Sequence, residues 1–381
     1  MSAKKAKEIT RSIPREVERD LWVRAGGRCQ FKGHNAILYL SPMTQRGVNV
    51  AQKAHIYSFS VDGPRGHGPY GGDEEGLNNV DNLMLVCAGC HKEIDDDDGA
   101  EFPVELLQGW KREHEERVEI VTGIPPLNRS RVVIYAEKIG EQGSAIHPQE
   151  ANAAIFPDRF PIAERPSCVS MTWEGRDTDP DYWRTAETNL RRAFDRQIAQ
   201  YVSDGEHLSL FGFAPMPLLV LFGSLFTDKA SAQTHQLRRE PERSWKWIDK
   251  GPNLGFRLHQ PPRAGCPPAL VFSISAKVDH GRVHEVLGAD VSVWEITVES
   301  PHNDCLTTRE QLGEFRKACR KAMVEISQAH GHATPLHVFP AMPVSAAVEF
   351  GRIRMPKADM PWEIHDHNRA AGKFVHALSI R

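Results

Sequence analysis

The sequence predicts two domains of different class: a small α+β domain at the N-terminal end and a larger α/β domain made of two repeated units. Three observations predict this. The chain has 381 residues, too many for one ordinary core at about 150 residues per domain. The composition shifts at Thr122 to Arg131 (TGIPPLNRSR), which reads as a linker. Beyond it, residues 207–224 (HLSLFGFAPMPLLVLFGS) align without a gap on residues 335–352 (PLHVFPAMPVSAAVEFGR) at an offset of 128. Identities fall at Leu208/Leu336, Phe211/Phe339, Pro215/Pro343, Val220/Val348, Phe222/Phe350 and Gly223/Gly351. The domains are therefore set at 1–124 and 125–381, with the two units at about 180–250 and 290–381.

The elements follow in order. An amphipathic helix is expected from Pro14 to Ala25, because proline suits a first turn and Gly26–Gly27 ends it. A short apolar strand is expected at Ala36 to Leu40, and a second apolar segment carries His55. Residues 62–79 are rich in Gly, Pro and Asn and read as a long loop. Their glycines lack the G-x-x-x-x-G-K-[ST] order, so a phosphate-cradling loop is not expected. A strand from Asn82 to Val86 leads to Cys87, and a helix runs from about Pro103 to Val121. In the larger domain, helical patterns at 186–203 and 314–331 precede the repeated segments at the same offset, matching at Arg192/Arg320, Ile198/Ile326 and Gln200/Gln328. Each unit thus reads as a helix, a buried strand, a Pro turn and another apolar segment. Strands alternating with helices imply a largely parallel sheet. Two such units imply a pseudo-dimer with a ligand cleft where the halves meet. Two unrelated apolar strands are the alternative.

Composition narrows the class. With 40% hydrophobic and 25% charged residues, the chain is neither disordered nor fibrous. Its longest apolar stretch, Met216 to Phe226, is half a membrane span and is interrupted by Pro217 and Gly223, so no transmembrane helix and no membrane partner are expected. The opening MSAKKAKEIT has no apolar segment of the kind a secretory signal needs. Seven cysteines, unevenly spread, do not make a disulfide framework, which favours a reduced, cytoplasmic setting. Residues 1–65 hold 12 Lys and Arg against 5 Asp and Glu, whereas residues 66–120 hold 4 against 15. The first could meet a phosphate backbone and the second a divalent cation. An unevenly charged solvated surface explains both equally well.

Four potential metal ligands lie in the first domain: Cys29-x4-His34 and Cys87-x2-Cys90. Structural zinc takes four thiolate or imidazole ligands in a tetrahedron, often two from each of two turns. Two core cysteines beside an unrelated Cys29 and His34 are the alternative; a redox CxxC pair fits less well, since His91 and Lys92 follow it. His55 in AHI, Asn82 in DNL and His91 directly after CAGC complete the set. With GGRCQF…AHI and NLMLVCAGCHKEID, residues 15–115 resemble the HNH endonucleases. That resemblance implies a ββα-metal domain with zinc knuckles, in which Cys29, His34, Cys87 and Cys90 hold structural Zn²⁺. It implies His55 as general base, Asn82 as the residue holding the loop or ring that orients it, and His91 as ligand of a catalytic Mg²⁺ or Mn²⁺. Histidine suits a base at neutral pH. Where many members carry Asp or Glu before the first His, this chain has Ala54, which leaves Asp95 or Gln52 to supply the second metal ligand.

Residues 125–381 hold no catalytic constellation. PERSWKW (241–247), PVSAAVEFGRIRMP (343–356) and the two-unit repeat resemble the SAVED domain. The resemblance implies a fused pair of CARF-like α/β units that bind a cyclic oligonucleotide. An HNH domain followed by SAVED resembles the effector nucleases of CBASS antiphage defence. Such a pocket needs aromatic faces for bases and cations for phosphates. Trp245, Trp247, Lys277, Arg352, Thr227 and Lys229 are the candidates, Arg352 first among them. The expectation is an endonuclease that degrades double-stranded DNA in abortive infection, activated by a cyclic di- or trinucleotide and self-associating into a homodimer or tetramer. The alternatives are a modification-dependent HNH restriction endonuclease and a zinc-stabilised DNA-binding protein without catalysis.

Overall fold

The computed structural model describes residues 12–137, 146–169, 179, 181–226, 230–262, 267–368 and 372–381. The chain divides into two compact units, Met1–Pro125 and Pro126–Arg381.

In the first unit, α1 (Arg15–Arg24) starts after Pro14 and stops where Gly26 and Gly27 take φ of 59° and 66°. β1 (Ala51–His55) pairs antiparallel with β2 (Leu83–Cys87), which places His55 opposite Leu83 and Ala51 opposite Cys87. The loop between them contains a short α-helical turn, α2 (Glu74–Leu77), capped by the Asp73 side chain, with 3-10 turns on either side at Gly68–Tyr70 and Val80–Asn82. α3 (Ala88–Ile94) follows β2 directly, with Cys87 as its N-cap, and α4 (Val104–Thr122) follows Pro103. Leu21, Leu38, Ile56, Leu83–Val86, Ile94 and Leu107 form the core. The strand expected at Ala36 to Leu40 does not form. Ile37 and Leu40 make only isolated bridges, to Arg28 and Gly47, because no neighbouring strand runs alongside to continue a ladder.

In the second unit, β3 (Arg129–Ala136) takes up the last three residues of the stretch read as linker, and α5 (Pro148–Ala154), β4 (Phe160–Pro161) and β5 (Ser167–Val169) follow. Then come α6 (Tyr182–Gln197), α7 (Ala199–Ser203), β6 (Leu208–Phe213), α8 (Met216–Phe226) and β7 (Ala232–His235). β4, β3, β6 and β7 form a parallel sheet in that order, with β5 also on β3. The second half contributes β8 (Arg257–His259), β9 (Pro268–Ser273), α9 (His280–Leu287), β10 (Ser292–Thr297), α10 (Arg309–His330), β11 (Leu336–Ala341), α11 (Val344–Arg352), β12 (Trp362–Asn368) and β13 (Lys373–Ile380). Its sheet runs β13-β12-β11-β9-β10-β8, parallel inside and antiparallel at both edges.

The repeat is structural. β6 and β11 occupy the same positions at the 128-residue offset, each followed by a proline and a buried helix; β11 is preceded by the single helix α10, whereas the helix expected over 186–203 is interrupted at Ile198 into α6 and the short α7. The final apolar segment of each repeat is thus helical, since α8 and α11 are buried on nearly every side and show no strand alternation. The two halves also reach beyond 180–250 and 290–381: β3 belongs to the first sheet, and β8 and β9 to the second. Repeated glycines make the seam. A Cβ on Gly223 would lie 1.9 Å from the Val348 carbonyl oxygen, and one on Gly351 would lie 2.0 Å from that of Val220. The helices approach backbone to backbone in a pseudo-symmetric pair of contacts that any larger residue would separate. Among the described residues, no helix is long and apolar enough to cross a membrane.

Candidate functional site

Folding of the first unit brings Cys29, His34, Cys87 and Cys90 together, with one donor atom from each lying within 4.8 Å of all the others. His34 Nδ1 is 3.2 Å from Cys90 Sγ and 3.6 Å from Cys87 Sγ. A zinc tetrahedron with bonds of about 2.3 Å has sulfurs roughly 3.8 Å apart, so this spacing fits. Burial pushes the Cys90 thiol up, and the neighbouring Cys29 and Cys87 push it further. A divalent cation among them would remove that opposition, because it stabilises thiolates. The donor set therefore suits zinc. Gln30, next to Cys29, accepts from Leu85 N and donates to Glu115, tying the first turn to β2 and α4.

His55 ends β1, Asn82 immediately precedes β2, and His91 lies on α3. Asn82 is 1% exposed. Its Oδ1 accepts from Tyr57 N at 2.8 Å, and its Nδ2 donates to the Tyr57 and Leu77 carbonyls. It holds the backbone after His55, not the imidazole. Asn78 meets the ring: its Oδ1 is 3.0 Å from His55 Nε2. A carbonyl oxygen only accepts, so Nε2 carries the proton and Nδ1 the lone pair. Sequence reading missed Asn78, whose one signal is its place in the Asn-rich LNNVDNL.

His91 Nε2 is 3.6 Å from Asp95 Oδ2, one helical turn on. The other Asp95 oxygen accepts from Arg65 at 2.6 Å. Arg65 also donates to the Ile56 and Ile94 carbonyls at 2.6 and 2.7 Å, so one buried guanidinium from the loop joins the end of β1 to the end of α3. Adjacent ligands about an octahedral cation stand roughly 3.0 Å apart at 2.1 Å bonds, and His91 with Asp95 is close to that spacing. Ala54 is buried in the core. Gln52 points to the face opposite His55, by strand alternation, and joins neither histidine. No further group of three or more His, Cys, Asp or Glu donors forms among the described residues.

In the second unit, a cavity of about 480 Å³ opens at the C-terminal ends of β6, β9, β11 and β12. Ligands of open α/β sheets bind at such ends. Ala214, Pro215 and Met216 of the β6–α8 turn line it from the first half, and Val278, Pro340, Ala341 and Phe374 from the second. Its polar groups are Lys277, Asp279 and Arg282 around the start of α9, with His365, Asp366 and His367 on β12. Arg282 Nη1 is 3.3 Å from His367 Nε2, and Asp279 caps α9 by accepting from Gly281 N. His365 is buried; burial, with His337 and His376 nearby, brings its pKa down to about 3.

The family model of the SMODS-associated and fused to various effectors sensor domain, SAVED, matches residues 190–380, half of the chain. The chain belongs to the SAVED family. Solved structures that this SAVED chain resembles include the Acinetobacter baumannii Cap4 SAVED/CARF-domain containing receptor with the cyclic trinucleotide 2'3'3'-cAAA, at a TM-score of 0.44 and 10% identity over 76% of this chain and 61% of that one. Another structure of that receptor has a TM-score of 0.40 at 11% identity over 81% and 63% of the two chains. The Moraxella osloensis Cap4 receptor has 0.36 at 9% identity, over 76% and 60%. The chain spans about three fifths of the length of those receptors. No curated protein matches it.

The SAVED match runs from within α6 to the end of β13 and so takes in both repeats. Of the ligand residues expected from sequence, Lys277 lines the cavity. Trp245 does not: it is 2% exposed and packs with its ring 5.5 Å from that of Phe211. Trp247 is half-buried and donates its Nε1 to the Thr234 carbonyl. Arg352 is corrected as well. It is 7% exposed, with Nη1 on Glu349 at 2.9 Å and Nη2 on the Ala230 carbonyl at 3.2 Å. Its position at the seam explains this, because a buried guanidinium needs a counter-charge and Glu349 lies one turn earlier on α11. Thr227 and Lys229 lie outside the described residues. Arg282, His365 and His367 were missed, having no motif and meeting only through the ends of separate strands and helices.

Proposed function

We propose that this SAVED chain is a metal-dependent DNA endonuclease switched on by a cyclic oligonucleotide, an effector of CBASS antiphage defence. One observation carries the nuclease half: His55, Asn82 and His91 occupy the strand end, strand start and helix of a single ββα unit, beside a four-donor Cys/His cluster. Family membership and the cavity at the strand ends support the sensor half.

Phosphodiester hydrolysis needs an activated water in line with the leaving oxygen. Asn78 fixes the His55 proton on Nε2, so His55 Nδ1 accepts the proton from the attacking water. Asn82 holds the backbone behind it, and Arg65 sets the separation of β1 from α3. His91 and Asp95 are the residues to hold Mg²⁺ or Mn²⁺, which supplies positive charge to the scissile phosphate. Two protein donors are enough for such a cation, which usually keeps waters and takes phosphate oxygens. Cys29, His34, Cys87 and Cys90 hold zinc and anchor the start of α3. An uncontrolled nuclease would destroy its own cell, so ligand binding shifts an equilibrium toward a dimer or tetramer competent to cut.

The test is plasmid degradation by the full-length protein in Mg²⁺, with and without a panel of cyclic di- and trinucleotides. Cleavage only with a cyclic nucleotide is the expected result. Cleavage regardless of nucleotide would replace this reading with the restriction endonuclease, and binding without cleavage under any condition would replace it with the DNA-binding protein.

A further inference from the structure

Between Asp20 and Asp62 the chain runs 41 residues, 21–61, without an Asp or a Glu. The stretch carries five cations, Arg24, Arg28, Lys32, Arg46 and Lys53. The fold supplies partners to four of them. Arg24 pairs with Asp81, Lys32 with Glu113 and Lys53 with Glu18, and Arg28 donates to the Asn35 carbonyl. Arg46 is exposed and has no carboxylate partner among the described residues.

Arg46 lies in a loop, residues 38–50, that folds back on itself. At its base Leu38 is buried and donates its N–H to the Gly27 carbonyl, while Val50 N–H donates to the Leu38 carbonyl. At its tip Ser41 N donates to the Arg46 carbonyl and Gln45 N to the Ser41 carbonyl, both at 2.9 Å. The Gln45 side chain donates to the Ser41 and Pro42 carbonyls. The tip is thus bonded to itself, and it holds Met43 outward, 92% exposed. Tyr39 and Val48, joined by a backbone bond lower in the loop, are exposed as well. An ordered turn that keeps a methionine in water forgoes about 1.5–3 kcal/mol of burial. A partner that covers Met43 and tolerates no acid around it would recover this. Duplex DNA has that chemistry: a polyanionic backbone that draws unpaired cations, and base steps between which methionine can wedge. The loop is also placed to meet it. Ala51 opens β1 directly after the loop, and His55 ends that strand. Arg46 precedes His55 by nine positions, a span of at most roughly 32 Å, inside one duplex turn of about 34 Å.

We propose that the loop of residues 38–50 grips the DNA substrate outside the catalytic centre, with Met43 wedged against a base step in the minor groove and Arg46 on a neighbouring phosphate. The contact carries no donor set for reading a base pair, so it favours steps that unstack easily over any fixed sequence. This rests on the reading of the first unit as an endonuclease.

The full-length protein is mixed with a short duplex carrying 2-aminopurine, in Ca²⁺ instead of Mg²⁺, with whichever cyclic nucleotide supports plasmid cleavage or with none if none is needed. The wild type should raise the 2-aminopurine fluorescence, which reports unstacking. M43A should lose that rise and bind the duplex about tenfold more weakly, the low end of what burying one methionine contributes, with unchanged salt dependence. M43L should restore both. R46Q should lower the slope of log affinity against log salt by about one, as for one phosphate contact. Both side chains are exposed, so these variants leave the core intact. If M43A binds as the wild type does with the fluorescence rise intact, the inference fails and the endonuclease reading stands. If M43A binds DNA normally but light scattering shows a smaller assembly, the loop belongs to a contact between copies and the inference is overturned. If the wild type neither binds nor cuts duplex under any condition, the endonuclease reading fails and takes this inference with it.

Discussion

In residues 1–125 the core is one cluster around Leu21, Leu38, Leu83–Val86 and Leu107, with Cys29 and Cys90 at its edge as part of a four-donor group. In residues 126–381 the central feature is a pair of buried apolar helices, α8 and α11, meeting through Gly223 and Gly351, with continuous core on either side. The smaller unit spreads its polar side chains as single ties: Gln30 to β2, Asn82 to Tyr57, Arg65 to β1 and α3. The larger leaves its cavity-lining polar groups at strand ends, outside the packed seam. A small unit buries a smaller fraction of its surface and leans on such devices, whereas a large one can lose a surface group at little cost.

The sharpest test of that contrast is loss of the Cys/His cluster. Cys87→Ser or Cys90→Ser is expected to unfold the first unit, since structural zinc contributes on the order of 10 kcal/mol in small modules. Calorimetry should show the transition of the second unit surviving. Elemental analysis finding no zinc in folded protein would break the comparison.

His55→Ala should lower plasmid cleavage about 10²–10⁴-fold with folding and zinc content intact. Asn78→Ala should lower it by less, by freeing the tautomer. His91→Ala should instead weaken Mg²⁺ binding measured by titration. Cleavage at the wild-type rate by His55→Ala would remove the general-base assignment.

Gly351→Ala, or Gly223→Ala, should destabilise the second unit by about 1–3 kcal/mol through overpacking of backbone against backbone. Denaturant unfolding measures it; an unchanged midpoint would mean that the seam is loose.

The smallest effect is acid sensitivity of the second unit. His235 and His365 have pKa values of about 3 in the fold, against about 6.5 unfolded. Between these values the unfolded chain holds more protons, so stability is complete above pH 6.5 and declines as pH falls. The slope is about 1.4 kcal/mol per ring per pH unit. Melting temperatures of the wild type should drop from about pH 7 to about pH 5.5, and those of H235F should drop less. Equal slopes would place the acid-sensitive groups elsewhere.

Local order was legible where chemistry is written in neighbouring residues. The 128-residue repeat, the helices at Pro14 and Pro103, and the CAGC turn that opens α3 all follow from spacing and propensity, which act over a few residues. The strand expected at Ala36 to Leu40 shows the limit, since strand formation depends on a partner that apolar sequence alone does not supply. The clustering of Cys29 and His34 with Cys87 and Cys90 required the Cys29 turn to dock on β2, through Gln30 N to the Leu85 carbonyl and Cys87 N to Cys29 Sγ. Arg352 looked like a phosphate ligand until the seam between the halves buried it against Glu349. Arg65, Asn78 and His365 carry no motif, because their roles depend on what the fold sets opposite them: two carbonyls, one imidazole, one cavity. Residue types and short spacings are properties of the chain, and the sequence by itself determined them here. Which charges are buried, which tautomer is held and which histidine meets a cavity are properties of distant contacts, and only the tertiary structure decided those.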